Sequence, residues 1–264
     1  FISYAGPVIR GATRWIIIGP IQLQPSELVK PLLILFFAWA MRMYPPRTMK
    51  GVLIQIGLFA VPFLLVLRQP DLGSSIVLAV MWLSMMIAAG FSIRFVVIGG
   101  IIGMFLLPLV WRGFHDYQKA RIFTFINPAA DPKGAGYNAI QAMIAVGSGQ
   151  LFGRGLGLGT QSHLRFLPEY HTDFIFATLV EELGFVGGVL LILGYGVLLW
   201  RIVVPLVRGV VASFEPFVYS VGLFSMILCQ IKINAGMNMG IIPITGITLP
   251  FVSYGGSSLL SLAV

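Results

Sequence analysis

Three ionisable side chains fall within five residues in LPEYHTDF (167–174): Glu169, His171 and Asp173. An apolar run follows at once. An acid where a helix begins has an ordinary use. Thr172 would cap the helix and Asp173 would sit in its first turn, favoured by the helix dipole. Capping needs only one such group. A carboxylate within reach of a hydroxyl can also take its proton, which is general-base chemistry. Glu181 and Glu182 lie further into the run, about 12 Å deeper along a helix. At about 100° per residue, Glu181 is some 80° round from Asp173 and Glu182 points the opposite way, so the two cannot both share a cavity with Asp173. Ionisable groups inside an apolar span are costly and mark function unless paired. The favoured reading is a structural pair with a neighbouring span, with Lys232 as the obvious partner.

QPSELVK (24–30) places Glu27 and Lys30 at i, i+3, on one helix face, with Ser26 available as a cap. They form either a local ion pair or a charged lining for an outer cavity, with Arg14 of GATRW nearby. The glycine-dense stretch GSGQLFGRGLGLGTQ (147–161) carries Arg154. Such a loop is either a flexible connection or a backbone cradle for phosphate oxygens. It lacks the Gly-Lys-Ser/Thr ending of a nucleotide-binding loop. NMGIIPITGITLPFVSYGG (238–256) is broken by Pro and Gly beside an apolar run. Irregular backbone at membrane depth needs protein or a watery cavity around it, so this stretch reads as a cavity wall.

The elements that must position these groups are helices. The chain has 264 residues, 58% hydrophobic and only 10% charged, with mean hydropathy +0.94. Soluble domains carry about 25% charged residues, so this is an integral membrane protein. The single cysteine, Cys229, excludes a disulfide framework. A net charge of +8 suits anionic lipid surfaces, and no basic run interleaved with aromatics points to nucleic acid. A span needs about 17–25 apolar residues. Seven candidates result: 28–41, 52–67, 74–91, 95–111, 174–200, 216–235 and 249 to the end. The fold class is all-α, polytopic, with one large loop at 112–173. Within that loop, 134–147 reads as a helix at the interface, with Ile140, Met143, Ile144 and Gly147 in step; an eighth span is the rival reading. Arg42, Arg47, Lys50, Arg94, Arg201 and Arg208 fall in three alternate short connections, against one acid, Glu215. The positive-inside rule puts those connections in the cytoplasm and the HTD segment outside.

GATRW, QPSELVK, QPDLGSS, NPAADPKGAGY, GTQ, LPEYHTDFIFA, EELGF and PFVSYGGSS occur in this order along residues 11 to 258. In that order they resemble the SEDS family of bacterial cell-wall polymerases. SHLRFLPEYHTDF is more similar to the elongation (RodA) branch than to the division (FtsW) branch. The resemblance implies a single SEDS membrane domain over 1–264 and ten spans in all, so three are expected ahead of Phe1. It implies peptidoglycan glycosyltransferase activity on lipid II, in the bacterial cytoplasmic membrane with the active site facing outside. It makes Asp173 the catalytic residue and Glu27 and Lys30 cavity residues. The implied partner is a class B penicillin-binding protein. Gln150 and Thr13 depart from the family pattern, Gln150 standing where a glycine is common.

That chemistry joins a GlcNAc 4-hydroxyl to the anomeric carbon of a lipid-linked MurNAc and expels undecaprenyl pyrophosphate. Glycosidases use two carboxyl groups, one as acid, because a sugar leaves poorly. Pyrophosphate leaves readily once its charge is neutralised, so one base and a cationic site suffice. Asp173 is the base; Glu27, Lys30, Arg14, Arg154 and His171 are the substrate-binding candidates. No cofactor is firmly required, and a divalent cation (Mg or Mn) is an alternative means of neutralising the phosphates. The competing function is a lipid II flippase using the same charges without bond formation. A scaffold would leave Asp173 dispensable.

Overall fold

The computed structural model describes residues 16–18, 21–69, 71–113, 116–130, 135–164 and 166–254. A short antiparallel hairpin comes first, β1 (Ile16–Ile18) with β2 (Ile21–Leu23), Ile16 opposite Leu23. The alternation that marks longer strands has no room in three residues, and the all-α expectation did not include it. The other elements are helical: α1 (Pro25–Met43), α2 (Met49–Arg68), α3 (Leu72–Ala88), α4 (Ile93–Gly113), α5 (Asp116–Ile126), a 3₁₀ turn (Pro128–Ala130), α6 (Ala135–Ser148), α7 (Thr160–His163), α8 (Ile175–Val207) and α9 (Phe214–Asn238). Six expected spans fall on α1–α4, α8 and α9. Of these, α2, α8 and α9 are long and apolar enough to cross a membrane, while α3 and Ile93–Leu109 of α4 are apolar but shorter. The seventh, from 249, opens on a turn and otherwise lies outside the described residues.

Helix α9 is the axis, packing against α3, α8, α1 and α6. Ile34, Phe37 and Met41 of α1 meet Val77, Leu78, Met81 and Met85 of α3 and Val218, Met226 and Ile227 of α9 in one core. Gly222 brings α9 close: a Cβ there would come within 2.8 Å of both Ile34 and Met85. Small residues at such crossings let helices pack by dispersion where lipid supplies no hydrophobic drive. Arg42 donates to Glu215 at 3.0 Å, and Arg47 lies against Gly90. The basic connections after α1, after α3 and before α9 therefore share one end of the bundle. The HTD segment is at the other.

Helix α6 falls on the helix expected at 134–147. Its fourteen residues are about 21 Å long, too short to cross a bilayer. Ala142 and Ala145 are buried, while Met143 and Ile144 are exposed. The small residues let the backbone lie close to α8, and the large ones face outward.

Helix α8 is broken at Gly184 (φ 71°, ψ −169°), a conformation open essentially to glycine alone. The break strands main-chain groups in an apolar span, and the glycine-dense loop satisfies them. Arg154 N donates to Glu181 O and Gly155 N to Glu182 O, both at 3.0 Å. Phe185 N donates to Gln150 O at 2.8 Å and Val186 N to Leu151 O at 3.1 Å. The glycines make this approach feasible: a Cβ on Gly149 would meet Val180 O at 1.9 Å, and one on Gly153 would meet Glu182 O at 2.1 Å. The stretch is thus a backbone splint for the broken helix. Gln150 sits in it at φ 46°, left-handed backbone that costs a side-chain-bearing residue about 1–2 kcal/mol. Gly153→Ala should lower stability by about 2–4 kcal/mol through overlap and strain. Gln150→Gly should raise it by about 0.5–1 kcal/mol, the entropy of glycine offsetting part of the relief. Thermal unfolding of the purified protein in detergent reads both; a stable Gly153→Ala protein would contradict the splint.

Candidate active site

The HTD segment is the last part of a tight turn before α8. Thr172 N and Phe174 N both donate to Glu169 O, at 3.1 and 3.3 Å, with Glu169 itself at φ 59°. The Thr172 hydroxyl bonds Glu169 Oε2 at 3.2 Å. The cap position of α8 is Phe174, with no side-chain cap bond. The capping reading of Thr172 and Asp173 is therefore corrected: Thr172 turns back to Glu169, and Asp173 lies ahead of the helix.

Three successive carbonyls of this segment are held from elsewhere. Tyr254 N donates to His171 O at 2.8 Å. Ser253 Oγ donates to Thr172 O at 2.7 Å. Asn234 Nδ2 and Asn238 Nδ2 donate to Asp173 O at 2.9 and 3.2 Å. The Asp173 carboxylate lies beside Gly246, where a Cβ would come within 3.3 Å of its Oδ2. The broken stretch 238–254 is thus the wall of the site, as its composition suggested. The Tyr195 hydroxyl of α8 donates to Pro250 O and ties that wall to the bundle. His171 is exposed, its ring tilted by 40° against Tyr170 at 3.6 Å between centroids and 6.4 Å from Tyr254.

Asp71 links this wall to the start of α1. Its carboxylate accepts from Ser74 N at 3.0 Å and from Gln24 Nε2 at 3.1 Å, with the Ser26 hydroxyl at 3.4 Å. Ser26 therefore reaches across to α3 instead of capping its own helix, whose cap residue is Gln24. One residue into α3, Gly73 packs on Ile247 and Thr245 O. The start of α1 and the wall beside Asp173 thus belong to one end of the bundle. One turn inside α1, Lys30 bonds Glu27 at 2.5 Å, with only 1% and 7% of the side chains exposed. The pair faces the protein interior. Among the described residues Glu27 is the only hydrogen-bond partner of Lys30, whose ammonium carries three donors. An apolar cleft also opens between α5, α6 and the end of α9, lined by Phe125, Met143, Met237 and Ile242 and by Arg121.

Glu181 has a different role from the one expected. It is fully buried and accepts from Gln161 N at 2.9 Å, from Ser162 N and Oγ at 3.3 Å, and from the Thr160 hydroxyl at 3.3 Å. It holds the start of α7. Glu182 lies 3.7 Å from His163. Lys232 is exposed and makes no ion pair with either acid, so the predicted Lys232 pairing is wrong. The partner of Glu181 comes not from the next span but from a loop that folds back towards the break. Arg154 is exposed and donates to the Thr160 hydroxyl at 3.2 Å, which places it with the Glu181 group. Arg14 lies outside the described residues. Sequence reading also passed over Asn234, Asn238 and Ser253. The first two carry a signal, two amides one turn apart in an apolar run.

A polytopic helical bundle with a carboxylate at the mouth of a broken span defines a class, and comparison with known proteins identifies it. Residues 1–264 match the cell cycle protein family of FtsW, RodA and SpoVE, and the chain belongs to that family. It is 41% identical over 261 residues to the peptidoglycan glycosyltransferase MrdB of Escherichia coli K12, covering 97% of this chain and 70% of that protein. It is 42% identical over 262 residues to the stage V sporulation protein E of Bacillus subtilis, covering 98% and 70%. Among solved structures, a chain of a peptidoglycan synthase complex that coordinates polymerization and crosslinking matches with TM-score 0.80 at 30% identity, over 99% of this chain and 73% of that one. The rod shape determining protein RodA of Thermus thermophilus matches with TM-score 0.61 at 29% identity, over 98% and 68%.

The two roles assigned to the buried acids separate experimentally. Glu181→Ala leaves two amides and two hydroxyls without their acceptor and should cost about 3 kcal/mol or more. Lys232→Met should stay within about 0.5 kcal/mol of the parent. Thermal unfolding of both proteins measures this, and equal losses would restore the ion pair.

Proposed function

We propose that this protein is a peptidoglycan glycosyltransferase of the bacterial cytoplasmic membrane. It polymerises lipid II at the outer face, with Asp173 as general base. The observation that carries the reading is the setting of Asp173. It precedes α8 without capping it; its carbonyl is held by Asn234 and Asn238 of α9, and the carbonyl of Thr172 beside it by Ser253. A base needs that fixity, because proton transfer works only at hydrogen-bond reach of the hydroxyl. The names of the relatives support the reaction class.

In the proposed step, the Asp173 carboxylate takes the proton of the acceptor GlcNAc 4-hydroxyl. The oxygen bonds to the anomeric carbon of the donor MurNAc, and the bond from that carbon to pyrophosphate breaks. Lys30, held against Glu27, is assigned to the phosphate charge, a preorganised donor at the point where negative charge develops. Arg14 and His171 are retained as substrate contacts. Arg154 is the weaker candidate, since its observed partner is Thr160. Among the described residues no three potential metal ligands cluster, and no step is routed through a divalent cation. The apolar cleft beside α6 would suit a polyprenyl chain. The likeness to a chain of a synthase complex supports a class B penicillin-binding protein as partner.

Asp173→Asn is close to isosteric and removes the base. In the full-length protein with its partner, it should abolish glycan polymer from purified lipid II while leaving folding and partner binding unchanged. Polymer yield near that of the parent would overturn the assignment. Transfer of lipid II across vesicles without polymer by the parent would favour a flippase.

A further inference from the structure

Accepting Asp173 as the base, on which this step rests, we infer that Asn234 and Asn238 are positioning residues for it. The Asp173 carbonyl precedes α8 and finds no helical amide. In an apolar bundle such a group must be met by another donor. Two side-chain amides from α9 meet it, and both residues are fully buried.

The orientation of each amide is fixed by its partners. Asn234 Nδ2 has two hydrogens and two acceptors, Asp173 O at 2.9 Å and Ile247 O at 2.7 Å. A flipped amide would set its oxygen against two carbonyls. Asn238 Nδ2 likewise divides between Asp173 O at 3.2 Å and Asn234 O, one turn back in α9, at 2.8 Å. Among the described residues its own Oδ1 is buried without a partner. An oxygen left unpaired in that way is costly, so the geometry places the donor end of Asn238 ahead of its acceptor end.

Asn234 also joins two pieces of the site. Gly246 stands beside the Asp173 carboxylate at φ 73°, and Ile247 is the next residue. One amide therefore holds both the base and the wall that faces it. Losing that amide unties Asp173 from the 246–247 segment and leaves its carbonyl only the longer Asn238 bond to α9. A base displaced by about 1 Å can lose 10²-fold in rate with its own chemistry intact. A substrate held elsewhere would still bind.

The test measures kcat and KM for lipid II polymerisation by the full-length protein with its partner. Asn234→Ala, Asn238→Ala, Asp173→Asn and a core control, Ile227→Ala, are compared, each with its Tm. Ile227 is buried two turns away on α9. Asn234→Ala should lose about 10- to 100-fold in kcat with KM within about twofold. Asn238→Ala, which keeps the Asn234 donor, should lose less. Ile227→Ala should keep its kcat despite a comparable fall in Tm. If Asp173→Asn is inactive but both asparagine variants keep the parent kcat, positioning is refuted and the base survives. If Ile227→Ala loses kcat in step with Asn234→Ala, the asparagines are merely structural. If Asp173→Asn remains active, the underlying reading fails and the positioning role with it.

Discussion

A main-chain carbonyl or amide in an apolar bundle has no water to turn to, and each one outside a regular helix needs a partner within the protein. This constraint shapes the molecule at two places. At Gly184 the break in α8 exposes two carbonyls and two amides, and the loop 150–155 closes onto all four. At residues 171–173 three carbonyls stand outside any helix, and residues 234–254 supply their donors. The two repairs flank the first turns of α8. They fix where that helix starts, and with it where Asp173 sits.

The same accounting sorts the acids. Asp71 accepts from the start of α3 and from Gln24, and Glu181 from the start of α7. Both are carboxyl groups that accept from main-chain amides at helix N-termini. Glu27 is paired with Lys30 inside the bundle. A buried pair of this kind contributes little net stability, since desolvation offsets the attraction, and its value lies in holding a charge at a chosen depth. Asp173 is half-buried; it precedes α8 without being its cap residue, and its main-chain carbonyl is held from α9.

The helices were legible because their signal is local: the length of an apolar run decides each one, and six runs fell on six helices. Asp173 and the Glu27–Lys30 pair were legible because charge is conspicuous in such a chain. The break at Gly184 was not, since a glycine in an apolar run says nothing until its partner loop is known. The same loop explains the misplaced partner of Glu181. A carboxylate can be satisfied by backbone amides arriving from a distant segment, and residue spacing along one helix carries no trace of them. Close packing of α6 on α8 selected the small Ala142 and Ala145 and left Met143 and Ile144 facing outward. Asn234 and Asn238 were visible as two amides one turn apart, but only their bonds to the Asp173 carbonyl give them meaning.

The most direct measurement is an experimental structure of the full-length protein and its partner with a non-hydrolysable lipid II analogue bound. The account predicts the acceptor 4-hydroxyl within about 2.6–3.2 Å of the Asp173 carboxylate, the pyrophosphate on the Lys30 side, and Asp173 O still held by Asn234. A sugar bound at the opposite end of the bundle, among Arg42, Arg47 and Glu215, or an acceptor hydroxyl facing a different base, would contradict it.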